Sequence, residues 1–314
     1  MLAAERGVVG QTVTEHHGSH SLKMTAPLRA RLTREDLCKL VREMLGVFGA
    51  NKEMLRFGLG ASVVIELLGA KHGATDVGRP VLTTPLFAPN SDVIGQSRQE
   101  RFGEALFNLQ STQGFSAWVD DYDVSALEPR FAEMDAAYLM ARAGVLCRLR
   151  GRTGKKRQDY DCDLAVRGVE LPCDIKAKLE TTAVSIPTFL EAIERAQRQL
   201  PKDRPGVVWI RLPRAWMEPP EPTLLTIAVA MADVHLWAEP VVAVIVHWEE
   251  AVGTLAVALK WKLYACGSTD HDAATAADLE GAIRAAYGST PWTRFSDVID
   301  ECLSDPSKAE GRDA

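Results

Sequence analysis

The 314-residue chain has no apolar run long enough to cross a bilayer, and no signal-peptide pattern is evident at its start. Both absences lead us to expect a cytoplasmic protein with no membrane partner. Nor is positive charge in excess: 36 Lys and Arg stand against 42 Asp and Glu, a formal net charge of −6. Bulk electrostatic attraction to nucleic acid is thereby excluded, so any such site must be a local basic patch or depend on a metal. The six cysteines have no metal-ligand spacing, and Cys162 and Cys173 fall on apolar positions of alternating segments. Reduced, buried thiols fit that placement better than a disulfide framework. No internal repeat is present. The GLGAS run at 58–62 lacks the Gly-Lys-Ser/Thr ending of a phosphate loop and follows no predicted strand, so close helix packing explains its glycines better. The composition, 46% hydrophobic and 25% charged, is that of an ordinary globular protein with room for a large core.

What the chain does have is a doubly alternating stretch from Asp159 to Lys178, DYDCDLAVRGVELPCDIKAK. Asp159, Asp161 and Asp163 alternate with Tyr160, Cys162 and Leu164. Val169, Leu171, Cys173 and Ile175 then alternate with Glu170, Pro172, Asp174 and Lys176. Period-two patterning predicts two strands, each with one face on a core, joined by a two-residue turn at Arg167-Gly168. That turn opposes Val166 to Val169 and Leu164 to Leu171, and further along Asp161 to Asp174. Apolar positions then meet apolar ones, and a one-residue slip would mix the two sets. The predicted sheet face carries Asp161, Asp163, Asp174 and Lys176 together. Opposed carboxylates repel, and they coexist most easily with a proton or a cation between them. Acidic oxygens beside a lysine suit Mg²⁺ or Mn²⁺, since a hard ion takes one or two carboxylates and keeps water. Such an ion can activate a water and brace a phosphate oxygen. A solvated, charged hairpin is the bland alternative.

Asp161, followed by Asp174-Ile175-Lys176 on the next strand, resembles the PD-(D/E)XK nuclease superfamily with its restriction-endonuclease-like core. The resemblance covers roughly residues 127–213. It implies a metal-dependent phosphodiesterase in which Asp161 and Asp174 hold the metal, aided by the carbonyl of Ile175, and Lys176 orients the attacking water. It also implies a glutamate on a preceding helix. Glu133 is the candidate there, as both metal ligand and catalytic residue, with Glu128 and Asp135 as competitors. No proline precedes the first acid, which leaves Asp159, Asp161 and Asp163 to be separated by geometry. The expected register favours Asp161. In some members a glutamine from the following helix approaches the site, a role open here to Gln197 or Gln199.

Along the rest of the chain, residues 1–24 read as a disordered polar tail, and His16, His17 and His20 are not read as a metal site. A helix is expected over 33–49, capped by Thr33 with Asp36 three residues on. Less regular helices follow over 55–71 and 92–110, with an irregular stretch over 112–124 in which Asp120, Asp121 and Asp123 are solvated. Residues 127–143 read as a helix ending at Gly144, and 145–150 as the first core strand. A basic segment follows, and Lys155, Lys156 and Arg157 within it are the candidate phosphate contacts. A helix over 187–200, a strand buried on both faces over 207–212, a buried helix over 221–237 and two strands over 241–248 and 254–264 complete the core. His247, Glu249 and Glu250 read as strand-end surface residues, and Asp270-His271-Asp272 as a loop. Helices over 276–287 and 295–303 precede a polar tail at 306–314.

The element order predicts a mixed α/β fold, a central mixed sheet flanked by helices. A mainly helical region over 25–124 leads into an α/β domain over 125–305. The leading function is a metal-dependent nuclease, with DNA ahead of RNA as partner and the oligomeric state open, a homodimer among the options. A nuclease-like domain that no longer cuts, and only binds nucleic acid or protein, is the alternative.

Overall fold

The hairpin predicted near the middle of the sequence supplies two adjacent strands of the sheet. In the computed structural model, which describes residues 31–69, 93–155, 157–178, 182–252, 256–267, 269–285 and 292–304, β2 (Cys162–Val166) and β3 (Val169–Ala177) pair antiparallel. Arg167 and Gly168 both take positive φ, 48° and 84°, the backbone signature of a turn that matches strand twist. The register is the expected one: Val166 opposite Val169, Leu164 opposite Leu171, Cys162 opposite Cys173. β1 (Leu146–Leu149) adds antiparallel to β2 and forms an edge of the sheet rather than a core strand. On the other side β4 (Gly206–Arg211) runs parallel to β3, and β5 (Val241–Val252) parallel to β4. β6 (Ala256–Ala265) closes the far edge antiparallel to β5. The six strands therefore lie in sequence order in one mixed sheet.

Helices cover both faces. β4 is buried along its whole length, as its unbroken apolar run requires. On one face Cys162, Leu164, Cys173, Ile175, Val207 and Trp209 pack in a core with residues of α5 (Leu127–Arg142), α8 (Asp270–Ala285) and the amino-terminal helices. Those helices are α1 (Arg34–Phe48), α2 (Lys52–Leu68) and α3 (Val93–Leu109), joined by α9 (Phe295–Ser304). On the other face Val208, Ile210, Val244 and Val246 pack with α6 (Ile186–Gln197) and α7 (Pro220–Met231). The described residues between 31 and 304 make one compact unit.

Local chemistry explains several boundaries. Thr33 and Asp36 close a reciprocal capping box at the start of α1. Gly60 and Gly103 mark the crossing of α2 and α3. A Cβ on Gly103 would stand 2.6 Å from Gly60 Cα, and one on Gly60 would collide with the Gln99 carbonyl oxygen, so close helix packing accounts for Gly60. Three expectations change. The 112–124 stretch contains a short helix, α4 (Phe115–Asp120). Asp270-His271-Asp272 is the first turn of α8, where Thr269 and Asp272 cap each other. α7 is not buried all round: Leu225 and Val229 are each 69% exposed, because its apolar residues circle the helix while only one side meets the sheet. The tails at 1–24 and 306–314, with the three histidines, lie outside the described residues.

Candidate active site

The three aspartates of the first arm have separate fates. Asp159 Oδ1 accepts from Thr153 N and Oγ1, each at 2.6 Å, and so folds the basic loop back on itself. Asp163 is fully buried and clamps two arginines: its Oδ2 lies 2.7 Å from both Arg148 Nε and Arg150 Nε, and Tyr160 OH donates to Oδ1 at 2.8 Å. Burial alone would raise the Asp163 pKa, but the hydrogen bonds from Arg150, Tyr160 and Arg148 outweigh it and hold it below the ordinary range. Asp161 is left to face the other acids.

Asp161 does not pair with Asp174 as the alternation predicted. The β2–β3 ladder ends at Cys162–Cys173, and Asp161 N also donates to the Cys173 carbonyl, at 3.0 Å. Two residues thus oppose one, a bulge that interrupts the alternation. Its effect is visible in Tyr160, which lies on the Asp163 side of the sheet. The Asp161 side chain turns into the opening where β2 leaves β3, and its Oδ2 accepts from Ile175 N at 2.6 Å. A strand N–H points along the sheet plane, so this carboxylate lies at the sheet's end beside β3 rather than on its face. The predicted face carrying Asp161, Asp163, Asp174 and Lys176 as one cluster is therefore corrected: Asp161 is displaced by the bulge, and Asp163 is occupied by arginines.

Asp174 and Lys176 alternate with the core residues Cys173 and Ile175 and so point towards α6. Asp174 is fully buried. Lys176 Nζ forms an ion pair with its Oδ2 at 2.6 Å, neither oxygen accepts a hydrogen bond of regular geometry among the described residues, and Oδ1 has no partner of either kind there. The ammonium also donates to Gln199 Oε1, just past the end of α6. Gln199 is thus the glutamine that reaches the site, whereas Gln197 bonds the carbonyls of Trp237 and Glu239. Glu133 comes from α5. It is nearly buried, and its Oε2 accepts from Trp118 Nε1 and from Arg130 Nη1, each at 2.7 Å. Of its competitors, Glu128 sits in the first turn of α5, and Asp135 belongs to a different cluster, described below.

Glu133, Asp161, Asp174 and Lys176 are coupled electrostatically. Burial raises the Asp161 carboxyl well above the ordinary range, and repulsion from Glu133 and then Asp174 adds to the rise. Asp174 is pushed up to about 6 by burial and by Glu133, against the pull of Lys176. Burial would depress the lysine, but Asp174, Asp161 and Glu133 together hold its pKa above the normal value. This is a set of acids whose mutual repulsion a cation would relieve. No group of three or more His, Cys, Asp or Glu among the described residues is arranged to hold a metal ion. The fit to a divalent ion thus rests on two carboxylates, Asp161 and the partnerless Oδ1 of Asp174. That number suffices for magnesium, which keeps several waters.

The basic loop is placed in part. Lys155 is exposed, and Arg157 is half-buried with φ 64°. Lys156 lies outside the described residues.

Comparison with known proteins finds no matching family model, no matching curated protein and no matching solved structure.

The sequence reading missed one cluster altogether. His247 and Glu249 are not strand-end surface residues; both are buried. Glu249 Oε2 takes Arg98 Nε at 2.8 Å and Arg211 Nη2 at 3.0 Å, and its Oε1 takes Arg101. Arg101 continues to Asp135 at 2.5 Å. Trp209 Nε1 donates to His247 Nδ1 at 2.6 Å, so the imidazole proton is on Nε2, 3.3 Å from Asp135 Oδ2. Burial lowers the His247 pKa and keeps the ring neutral. Only Glu250 of the three is exposed. The available signal was a histidine and a glutamate spaced two apart on an apolar strand, which puts them on one face with Ile245.

Proposed function

We propose that the chain is a metal-dependent phosphodiesterase, a nuclease of the PD-(D/E)XK kind, acting on DNA or RNA. The observation that carries this reading is Asp174: a fully buried carboxylate paired with Lys176, with one oxygen that has no partner among the described residues, and electrostatically coupled to Asp161 and Glu133. A purely structural ion pair has no need of two further acids. Asp161 and Asp174 would hold Mg²⁺ or Mn²⁺, aided by the carbonyl of Ile175, which lies between Asp174 and Lys176 on β3. The ion would supply Lewis acidity and a water of lowered pKa. Lys176, fixed between Asp174 and Gln199, orients that water and offsets charge on the phosphorus oxygens. Glu133 adds negative charge that favours the cation, and Trp118 and Arg130 hold it in place. Arg157 and Lys155 flank the same end of the hairpin and offer phosphate contacts.

The test is to incubate the purified chain with single- and double-stranded DNA and RNA, with Mg²⁺, Mn²⁺ or EDTA, beside Lys176→Ala. Cleavage that needs metal and falls by two or more orders of magnitude in the variant is expected. A chain that binds nucleic acid but never cuts it would favour the binding-module alternative.

A further inference from the structure

Beside the candidate site, at the start of β4 and β5 and the end of α6, lies an open cleft of about 650 Å³. That volume is within the roughly 300–1,000 Å³ of pockets that take small organic groups. Arg157, Arg198, Lys202 and Arg204 line it together with Trp237. Three acids, Asp203, Glu239 and Asp272, also line it, but Asp272 is committed to capping α8. Arg204 is a fixed wall, ion-paired to Glu170 at 3.2 Å and hydrogen-bonded to Tyr160 OH at 2.7 Å. Among the described residues Arg198 makes one ion pair, with the exposed Glu194. Arg157 and Lys202 make no ion pair among the described residues. Trp237 is 38% exposed, and its backbone is anchored by Gln197.

Cations around an exposed aromatic ring are the chemistry that holds a phosphate chain with an unpaired base stacked on the ring. A duplex keeps its base faces stacked inside except at its two ends, so along its length it has none to offer Trp237. The cleft also adjoins the acids. Arg157 is four residues from Asp161, at most about 14 Å of chain. Gln197, on the cleft wall, is two residues from Gln199, which touches Lys176.

We infer that this cleft binds an unpaired stretch of the polynucleotide and so directs single-stranded nucleic acid to the Asp161–Asp174 site. The inference rests on the phosphodiesterase reading for its second half. Binding is measured by fluorescence anisotropy in EDTA, with a labelled single strand of about a dozen nucleotides, a blunt duplex of the same sequence, and adenosine monophosphate as competitor. The single strand should bind more tightly than the duplex, and the mononucleotide should compete poorly. Trp237→Ala should weaken single-strand binding by about five- to a hundredfold, while Trp237→Phe keeps most of it. Joint replacement of Arg157, Arg198 and Lys202 by Ala should weaken binding and flatten its salt dependence. Because Trp237 is a surface side chain, an unchanged melting temperature will separate lost binding from lost folding. Single-strand binding that Trp237→Ala leaves unchanged, equal or tighter binding of the duplex, or tight binding of the mononucleotide overturns the inference, whether or not the chain cuts. Loss of binding in Trp237→Ala, with no cleavage by the unmodified chain in Mg²⁺ or Mn²⁺, overturns the phosphodiesterase reading and leaves the cleft as a single-strand site.

Discussion

Replacing Asp174 by Asn separates a metal site from a structural ion pair, because the two roles predict opposite signs of stability. The Asp174 carboxyl is raised from 3.8 to about 6 by burial first and by Glu133. A raised carboxylate pKa means that folding disfavours the charged form. At about 1.4 kcal/mol per pH unit, the rise amounts to about 3 kcal/mol of stability present in acid, below the unfolded pKa. That stability is lost as pH climbs through about 6. Asn cannot ionise, so it escapes the loss. Losing the Lys176 partner subtracts from the gain, so about 3 kcal/mol is an upper bound. In EDTA at pH 8, Asp174→Asn should therefore melt above the unmodified chain by up to about 4–5 °C, at roughly 1.5 °C per kcal/mol for a chain of this length. The two melts should converge towards pH 4. With Mg²⁺ the order reverses: the unmodified chain gains stability by binding, the variant gains little, and its cleavage drops by orders of magnitude. Differential scanning fluorimetry across pH, with and without metal, reads all of this. An Asn variant that melts lower than the unmodified chain in EDTA at pH 8 would mean that Asp174 is there for Lys176, and the metal argument would fail.

Two more outcomes test the frame around the site. Asp163→Asn leaves Arg148 and Arg150 without their buried counter-charge and should lower stability by about 2–4 kcal/mol, read by urea melts. Because the Asp163 pKa is lowered, that contribution is present above the ordinary carboxylate range and is lost as pH falls below that range and through the lowered pKa; a variant within 0.5 kcal/mol (about the surface-substitution range) would refute the clamp. Gly60→Ala drives a methyl group into the Gln99 carbonyl at the α2–α3 crossing, where the backbone cannot move aside as a side chain would, so a loss of about 1–3 kcal/mol is expected. An unchanged melting temperature would show that the crossing has slack.

The sheet was legible where one residue's environment is set by its neighbours in sequence. The capping box at Thr33, the hairpin register from Val166 to Cys173 and the burial of β4 all follow from local patterns. Alternation failed at Asp161, because a bulge is one extra residue in one strand and leaves no mark on the polar–apolar pattern. It could not separate Asp159, Asp161 and Asp163 either, since their partners Thr153, Arg148 and Arg150 sit on a loop and an edge strand whose path the pattern does not fix. His247 and Glu249 were misplaced for a related reason. A charge reads as surface until its counter-charges are known, and Arg98 and Arg101 lie about 150 residues earlier in the chain. The apolar composition of α7 likewise says nothing about which side meets a neighbour.

That distant pairing also bears on how the molecule can come apart. Glu249, on a strand near the carboxyl-terminal end of the sheet, is neutralised by two arginines from α3 and one from β4, and Arg101 hands the contact on to Asp135 of α5. A fragment that began after α3 would keep every strand and every residue of the candidate active site. It would nevertheless leave Glu249 with one arginine in place of three, and Asp135 with only a neutral histidine beside it. The leading helices thus serve as electrical ground for the sheet. A fragment holding the candidate site but lacking these helices should fold stably only if those buried acids are changed as well.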